Sequence, residues 1–271
     1  MKIFLTGGSG FIGKNFIKLA LSEQHVIYAV TRKKRKNEKN LIWLKGRLDK
    51  NWKELKNCDT LVHLASSGVT NQNNSLKSCM ESNVILPFQL LLNSISHGCK
   101  NWIIVGTSSE FGETLKKKQK LNINSKRKPN NNYGLSKYIF SELVFSLTKI
   151  FDVKCRYARL FPVYGDNDKK NKLYNSLKIS IKKRKKFFLK KPNEIRDYSN
   201  VENIVEKLLE MTDFSSIIGN LEKWHLASGN PEKLKEFVYG IIKESDKHLI
   251  LVNKKKMTNE NHISDTKSLW T

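Results

Sequence analysis

Thr6-Gly7-Gly8-Ser9-Gly10-Phe11-Ile12-Gly13 is the stretch that decides the fold. It follows the short apolar run Ile3 to Leu5, and Phe11, Ile12, Phe16, Leu19 and Ala20 then recur at helical spacing. The reading is strand, tight turn, helix. Glycines at 7, 10 and 13 suit a phosphate, because a tight turn, close backbone approach to a pyrophosphate and packing of the helix on the strand all exclude side chains. Ordinary strand-helix turns also carry glycines, but the position directly after the first strand favours a nucleotide. Gly7, Ser9, Gly10, Phe11, Ile12 and Gly13 are therefore candidate cofactor-binding residues.

Outward from this turn, Val26 to Val30 reads as a second strand. Leu61 to Ala65, apolar but for His63, and Trp102 to Val105 are runs of the kind found where a strand is covered on both faces. The apolar spacing predicts long helices over 76–96 and 134–149. Strands alternating with helices predict an α/β fold, a doubly wound parallel sheet of the Rossmann kind. After Leu160 the rhythm weakens, and Phe161-Pro162-Val163-Tyr164-Gly165-Asp166 reads as turn punctuation before a very basic stretch. The expected division is a dinucleotide-binding Rossmann domain over 1–165 and a smaller α/β substrate cap over 166–271. In the cap, helices are expected near 171–185, 201–211 and 231–243, and strands near 223–227 and 248–252. No internal repeat is visible.

At 271 residues, 39% hydrophobic and 10% aromatic, the chain can bury a sizeable core, which excludes disorder throughout. Fifty Lys and Arg against 25 Asp and Glu leave a formal charge of +25, which attracts anions without choosing among phosphates, nucleic acid and acidic lipid. Cys58, Cys79, Cys99 and Cys155 form no Cys-x-x-Cys pair, so neither a metal site nor a disulfide framework is expected. No signal peptide and no membrane-spanning run is read, and a reducing cytoplasm is the expected location. The runs Lys116-Lys117-Lys118, Lys126-Arg127-Lys128, Lys182-Lys183-Arg184-Lys185-Lys186 and Lys254-Lys255-Lys256 lack interleaved aromatics. They read as solvated surface rather than a nucleic-acid face.

Two further patterns carry chemistry. At the end of the second strand, where an acidic residue would accept from a free ribose 2′-hydroxyl, stands Thr31-Arg32-Lys33-Lys34. Arg32 suits a 2′-phosphate, so NADP is expected in preference to NAD. Tyr133-Gly134-Leu135-Ser136-Lys137 places a phenol and an ammonium one helical turn apart. A free tyrosine has a pKa near ~10 and is a poor acid or base at neutral pH, unless a cation such as Lys137 lowers that value.

Together these residues resemble the extended short-chain dehydrogenase/reductases, the NAD-dependent epimerase/dehydratase family. Besides the glycine turn and Tyr133/Lys137, Val62-His63-Leu64-Ala65-Ser66 resembles the family's strand end beside the cofactor. Asn83 matches an asparagine in the helix that follows. Gly106-Thr107-Ser108-Ser109-Glu110-Phe111-Gly112 resembles the segment that carries the catalytic Ser/Thr, and Arg159-Leu160-Phe161-Pro162-Val163-Tyr164-Gly165 and Arg196-Asp197-Tyr198-Ser199-Asn200-Val201 resemble two segments near the nucleotide-sugar site. The resemblance implies a catalytic set of Thr107, Tyr133 and Lys137, with Tyr133 moving the proton that matches hydride transfer. It implies cofactor contacts at Leu64, Ala65, Ser66 and Asn83, substrate contacts at Ser108, Ser109 and Arg196, a nucleotide-diphosphate sugar as substrate, and a homodimer. His63, inside an apolar strand, is expected to be structural.

Three departures bear on the reaction. Family dehydratases follow the catalytic Thr with Asp-Glu; here Ser108-Ser109 follow, and Glu110 comes one place late. Pro162 stands where the family has Asn, and Gly46-Arg47-Leu48-Asp49 where it often has Gly-Asp-Leu. Dehydration is disfavoured. A nucleotide-sugar 4-ketoreductase is the leading expectation, a 4-epimerase the alternative, and an RNA-binding protein on the same fold the alternative from a different class.

Overall fold

A computed structural model of the chain describes residues 1–69, 75–112 and 120–252. The first half runs β1 (Lys2–Thr6), α1 (Phe11–Ser22), β2 (Val26–Thr31), β3 (Leu41–Lys45), β4 (Thr60–His63), α2 (Leu76–Met80), α3 (Leu86–Ser96), β5 (Asn101–Thr107) and α4 (Asn132–Ile150). The second half runs β6 (Lys154–Leu160), β7 (Val163–Tyr164), α5 (Leu173–Lys182), β8 (Phe187–Leu189), β9 (Ile195–Arg196), β10 (Ser199–Asn200), α6 (Val201–Glu210), β11 (Leu221–Leu226), β12 (Glu232–Lys233), α7 (Leu234–Gly240) and β13 (Ile250–Val252). Seven strands form one parallel sheet in the order β11-β6-β5-β4-β1-β2-β3. The chain starts in the middle at β1, winds outward through β2 and β3, then returns to the other side at β4. The crevice at that reversal, beyond the carboxyl ends of β1 and β4, is where such sheets take ligands.

Both faces of the sheet are covered, which is why its strands read as continuous apolar runs. Phe16, Ile17 and Ala20 of α1 and Ile204, Val205 and Leu208 of α6 bury one face against Ile3, Leu5 and Val62. Leu90 and Leu91 of α3 and Phe140 and Val144 of α4 bury the other against Phe4, Leu61 and Trp102.

The strand and helix expectations hold with three instructive differences. The stretch 76–96 is not one uninterrupted α-helix: a π turn over Glu81–Ile85 separates α2 from α3, and its extra residue turns Asn83 inward. β3 and β6 were not among the expected strands, β3 despite its apolar run Leu41-Ile42-Trp43-Leu44. In β6 the cause is two buried arginines, Arg156 paired with Glu222 at 2.8 Å and Arg159 with Glu110 at 2.9 Å. Their charges are neutralised by partners far away in sequence, so a strand with charged residues passes through the core.

Beyond residue 165 the chain serves both layers. Helix α6 and strand β11 join the large sheet, while α5, β8, α7 and β13 close a second, smaller core of Leu177, Leu189, Leu234, Phe237, Val238 and Ile250. We propose residue 165 as the point where the chain first leaves the sheet rather than the edge of a continuous cap.

Candidate active site

The glycine turn is shaped by what cannot fit in it. Gly7 has φ +74°, a conformation L side chains rarely adopt, and a Cβ there would stand 2.7 Å from the Ala65 amide nitrogen. A Cβ on Gly13 would stand 2.3 Å from the Gly7 carbonyl oxygen. The Gly10 amide donates to that same oxygen at 2.9 Å, and no side chain caps α1. Backbone amides at the start of α1 are thus left open, in a cradle that a Cβ would fill, which fits a dinucleotide pyrophosphate.

A cavity of about 650 Å³ runs from this turn. Gly7, Gly10, Phe11, Ile12 and Gly13 line it, together with Leu64, Ser66, Thr107, Ser108, Ser109, Tyr133, Lys137 and Arg196. Four other candidates stand outside the lining. Ser9 is exposed on the turn, and Arg32 is exposed immediately after β2. The Ala65 amide donates to Thr6 Oγ1 at 3.3 Å. Asn83 is fully buried and bonded to the main chain of Ser67 and to Ser136 Oγ.

Tyr133 and Lys137 sit in the first turns of α4, whose start is capped by Asn131 Oδ1 accepting from the Gly134 amide at 2.8 Å. The Tyr133 phenol lines the cavity with Ser66 and Thr107, whose hydroxyls favour its ionised form. Burial pushes this phenol above its ordinary value, and the charge of Glu110 adds to the shift, against the pull of the two hydroxyls. The sequence led us to expect a lowering by Lys137; in the structure desolvation wins. Lys137 lies under the sheet ends, 2% exposed, with Nζ donating to the Val105 carbonyl at 2.7 Å. Burial brings its ammonium down to about 8, against a raising pull from Glu110.

Glu110 accounts for the altered strand end. Its Oε1 accepts from the Thr107 amide at 2.9 Å and from the Tyr157 hydroxyl at 2.8 Å, and its Oε2 accepts from Arg159 Nε at 2.9 Å. Arg127 Nη1 stands 3.6 Å from the same Oε2. The carboxylate is thus fully buried and turned away from the cavity, so it does not replace the missing Asp-Glu pair. Arg127, read as part of a solvated run, points inward between Glu110 and Glu142 and stacks over Tyr138. The run Lys182 to Lys186 is exposed, as expected. Lys116 to Lys118 and Lys254 to Lys256 lie outside the described residues.

His63 is structural. It is buried in β4 with Nδ1 2.8 Å from Thr6 Oγ1, and burial together with the Lys137 charge brings it down to about 3, so it is neutral. Among the described residues no cluster of three His, Cys, Asp or Glu could hold a metal, and no helix is long and apolar enough to cross a membrane.

The far end of the cavity was the part least visible in the sequence. Tyr164, Tyr174, Tyr198 and Phe237 meet there ring to ring, with Lys172 and Arg196 beside them. Burial and neighbouring Lys169 lower the Lys172 ammonium, and Asp168 opposes them. Tyr174, Lys172 and Phe237 come from α5, its cap and α7, and each reads locally as ordinary helix surface or core.

With this geometry in place, comparison with known proteins gives a match to the family described as NAD dependent epimerase/dehydratase over residues 3–220. The chain belongs to that family. One family relative, dTDP-6-deoxy-L-talose 4-dehydrogenase (NAD(+)) of Aggregatibacter actinomycetemcomitans, is 23% identical over 266 residues, 90% of each chain. Another, CDP-abequose synthase of Salmonella typhimurium, is 24% identical over 250 residues, 87% of this chain and 78% of that one. Among solved structures, UDP-N-acetylglucosamine 4-epimerase from Methanobrevibacter ruminantium M1 in complex with UDP-N-acetylmuramic acid superposes with a TM-score of 0.86 at 17% identity, covering 99% of this chain and 90% of that one. MoeE5 in complex with UDP-glucose and NAD gives 0.84 at 18% identity with the same coverage. At these identities the likeness is one of fold.

Proposed function

We propose that this family member is an NADP-linked 4-ketoreductase acting on a nucleotide-diphosphate sugar, with a 4-keto-6-deoxy sugar as the substrate class. The observation that carries the reading is the state of the β5 end. Tyr133, held protonated by burial, touches Thr107, while Glu110, the one carboxylate of that segment, is locked behind them. The site has a proton to give to a carbonyl oxygen, and the strand end lacks the acid-base pair a dehydration needs. The name of one relative, a 4-dehydrogenase of a 6-deoxy sugar, supports the same position on the ring.

In this reading the dinucleotide, when bound, supplies the hydride. Tyr133 gives its proton to the substrate oxygen that receives negative charge, and the Thr107 hydroxyl donates a hydrogen bond to that oxygen. Lys137 holds the cofactor ribose. Lys172 and Arg196, at the aromatic end, face the diphosphate, and Arg32 accounts for a preference for NADP over NAD. A homodimer belongs to the same proposal, because Leu76, Ile85 and Leu92 are left exposed along α2, the π turn and α3; a one-chain mass in sedimentation would remove it.

The test is to denature purified protein, identify any released dinucleotide, and then measure NADPH-dependent reduction of dTDP-4-keto-6-deoxyglucose. Tyr133→Phe should keep cofactor binding and lose about 10³-fold in turnover; unchanged turnover overturns the reading. Near-stoichiometric NAD retained through purification would replace the reductase by the 4-epimerase.

A further inference from the structure

The strand end after β4 carries a hydroxyl that the Thr107, Tyr133 and Lys137 set does not use. Ser66 lines the cavity together with Tyr133, and its hydroxyl, like that of Thr107, favours the ionised form of the phenol. Its position is fixed through its neighbour. The Ser67 amide donates to Asn83 Oδ1 at 2.8 Å, and Asn83 Nδ2 donates back to the Ser67 carbonyl at 2.9 Å. The same Nδ2 donates to Ser136 Oγ at 3.0 Å, and that hydroxyl donates to the Tyr133 carbonyl at 2.8 Å. Asn83, 1% exposed and swung inward by the π turn, therefore ties the loop carrying Ser66 to the helical turn carrying Tyr133.

We propose that Ser66 is a third hydroxyl of the reaction centre, held by Asn83 so that it donates a hydrogen bond to the Tyr133 oxygen once that oxygen has given up its proton. The inference rests on Tyr133 being the acid. A phenol has one proton to give, whereas a phenolate is an acceptor only: it takes a hydrogen bond from Ser66 while Thr107 gives its single proton to the substrate oxygen. Hydrogen bonds to an ionised oxygen are about twice as strong as neutral ones, so Ser66 contributes more after proton transfer than before it. Thr107 Oγ1 already accepts from the Ser109 amide at 3.2 Å, and its single proton is the one given to the substrate oxygen.

The other groups facing the phenol favour its neutral form. Burial, the Glu110 carboxylate and Cys79 all oppose ionisation, and only Ser66 and Thr107 favour it; Lys137 stands one turn further along α4. Removing the Ser66 hydroxyl should therefore make the phenolate harder to form.

The experiment is NMR of protein labelled with ¹³Cζ-tyrosine, the Tyr133 signal being assigned by its loss in Tyr133→Phe. At pH 10.5 the tyrosinate fraction at Tyr133 should fall about tenfold in Ser66→Ala, and Ser66→Thr, which keeps the hydroxyl, should restore it. With NADPH and dTDP-4-keto-6-deoxyglucose, kcat should fall about tenfold in Ser66→Ala at constant KM. An unmoved Tyr133 titration overturns the proposal, as does a loss of NADPH affinity with Tyr133 unmoved, which would make Ser66 a cofactor contact alone. If wild-type protein turns over no nucleotide sugar, the reductase reading falls, and the Tyr133 titration still decides whether Ser66 supports the phenolate.

Discussion

At the glycine turn a Cβ on Gly13 would lie 2.3 Å from a backbone oxygen, whereas at the far end of the cavity four aromatic rings meet with centroids 4.0 to 5.4 Å apart. The first end is made of eight consecutive residues and uses main chain. The second is made of side chains from β7, α5, the segment between β9 and β10, and α7. Backbone against backbone has no rotamer with which to relax, while packed rings can shift. The nucleotide end should therefore fail all at once when altered, and the substrate end by degrees.

Gly13→Ala is the sharpest way to break that comparison. The added methyl meets the Gly7 carbonyl and the Gly8 Cα, both main chain, so the turn must open. Dinucleotide affinity should drop at least about 100-fold, with a cost of about 1–3 kcal/mol in stability. Tyr174→Ala at the opposite end should leave dinucleotide affinity within about twofold, while weakening nucleotide-sugar binding and costing about 1 kcal/mol of ring contact. Calorimetric titration of both variants checks the pair; equal losses of dinucleotide affinity would show that the two ends are not independent.

Between the ends lies the buried carboxylate, and Glu110→Gln is the next largest effect. It leaves Arg159, 1% exposed and with one terminal nitrogen already lacking an acceptor, without its counter-charge. Breaking one side of a buried ion pair costs about 3–5 kcal/mol, which urea unfolding would read directly. A loss under about 1 kcal/mol would mean that Arg127 and Arg159 find other acceptors.

These contrasts also explain what the sequence disclosed. The glycine turn, the apolar strands and Tyr133/Lys137 were legible because their spacing is local: a turn excludes side chains at fixed offsets, and i to i+4 is one helical turn. The inward turn of Glu110 was not, because its partners Tyr157, Arg159 and Arg127 lie 17 to 49 residues away and a carboxylate beside Thr107 reads first as an acid. Strand β6 was hidden for the same reason, and so was the join of α6 and β11 to the sheet, since nothing within residues 201–226 points back to α1 or β6. The aromatic end shares this origin: Phe237 belongs to a helix whose apolar spacing is explained equally well by core packing.

Lys137 links the two ends through pH. Its ammonium titrates at about 8 in the folded chain against an ordinary 10.5, because burial disfavours the charge. Below pH 8 folded and unfolded chains both carry the proton and the burial penalty is fully present. Between pH 8 and 10.5 the unfolded chain keeps a proton that the folded chain has lost, so this residue's contribution to stability improves as pH rises. The proposed ribose binding by the ammonium has the opposite slope. Dinucleotide affinity should fall about tenfold between pH 7 and 9 while the free chain gains stability from this group, and Lys137→Met should bind weakly with no step at all. A wild-type affinity flat across that range would remove the ammonium from the binding account.

The smallest effect tests the outermost residue of the nucleotide end. Arg32 follows β2 directly, is exposed and stands clear of the cavity lining, so whatever it contributes to a 2′-phosphate is screened by water and salt. Arg32→Ala should reduce NADPH affinity several-fold and leave NADH affinity unchanged, with the difference shrinking as ionic strength is raised. The turn itself is untouched, so the all-or-none behaviour of Gly13→Ala should not recur. If both dinucleotides weaken together, Arg32 acts on the adenosine or on the strand end rather than on the phosphate. If neither changes, the basic run from Lys33 to Lys36 is solvated surface through to Arg32, and the preference for NADP falls with it.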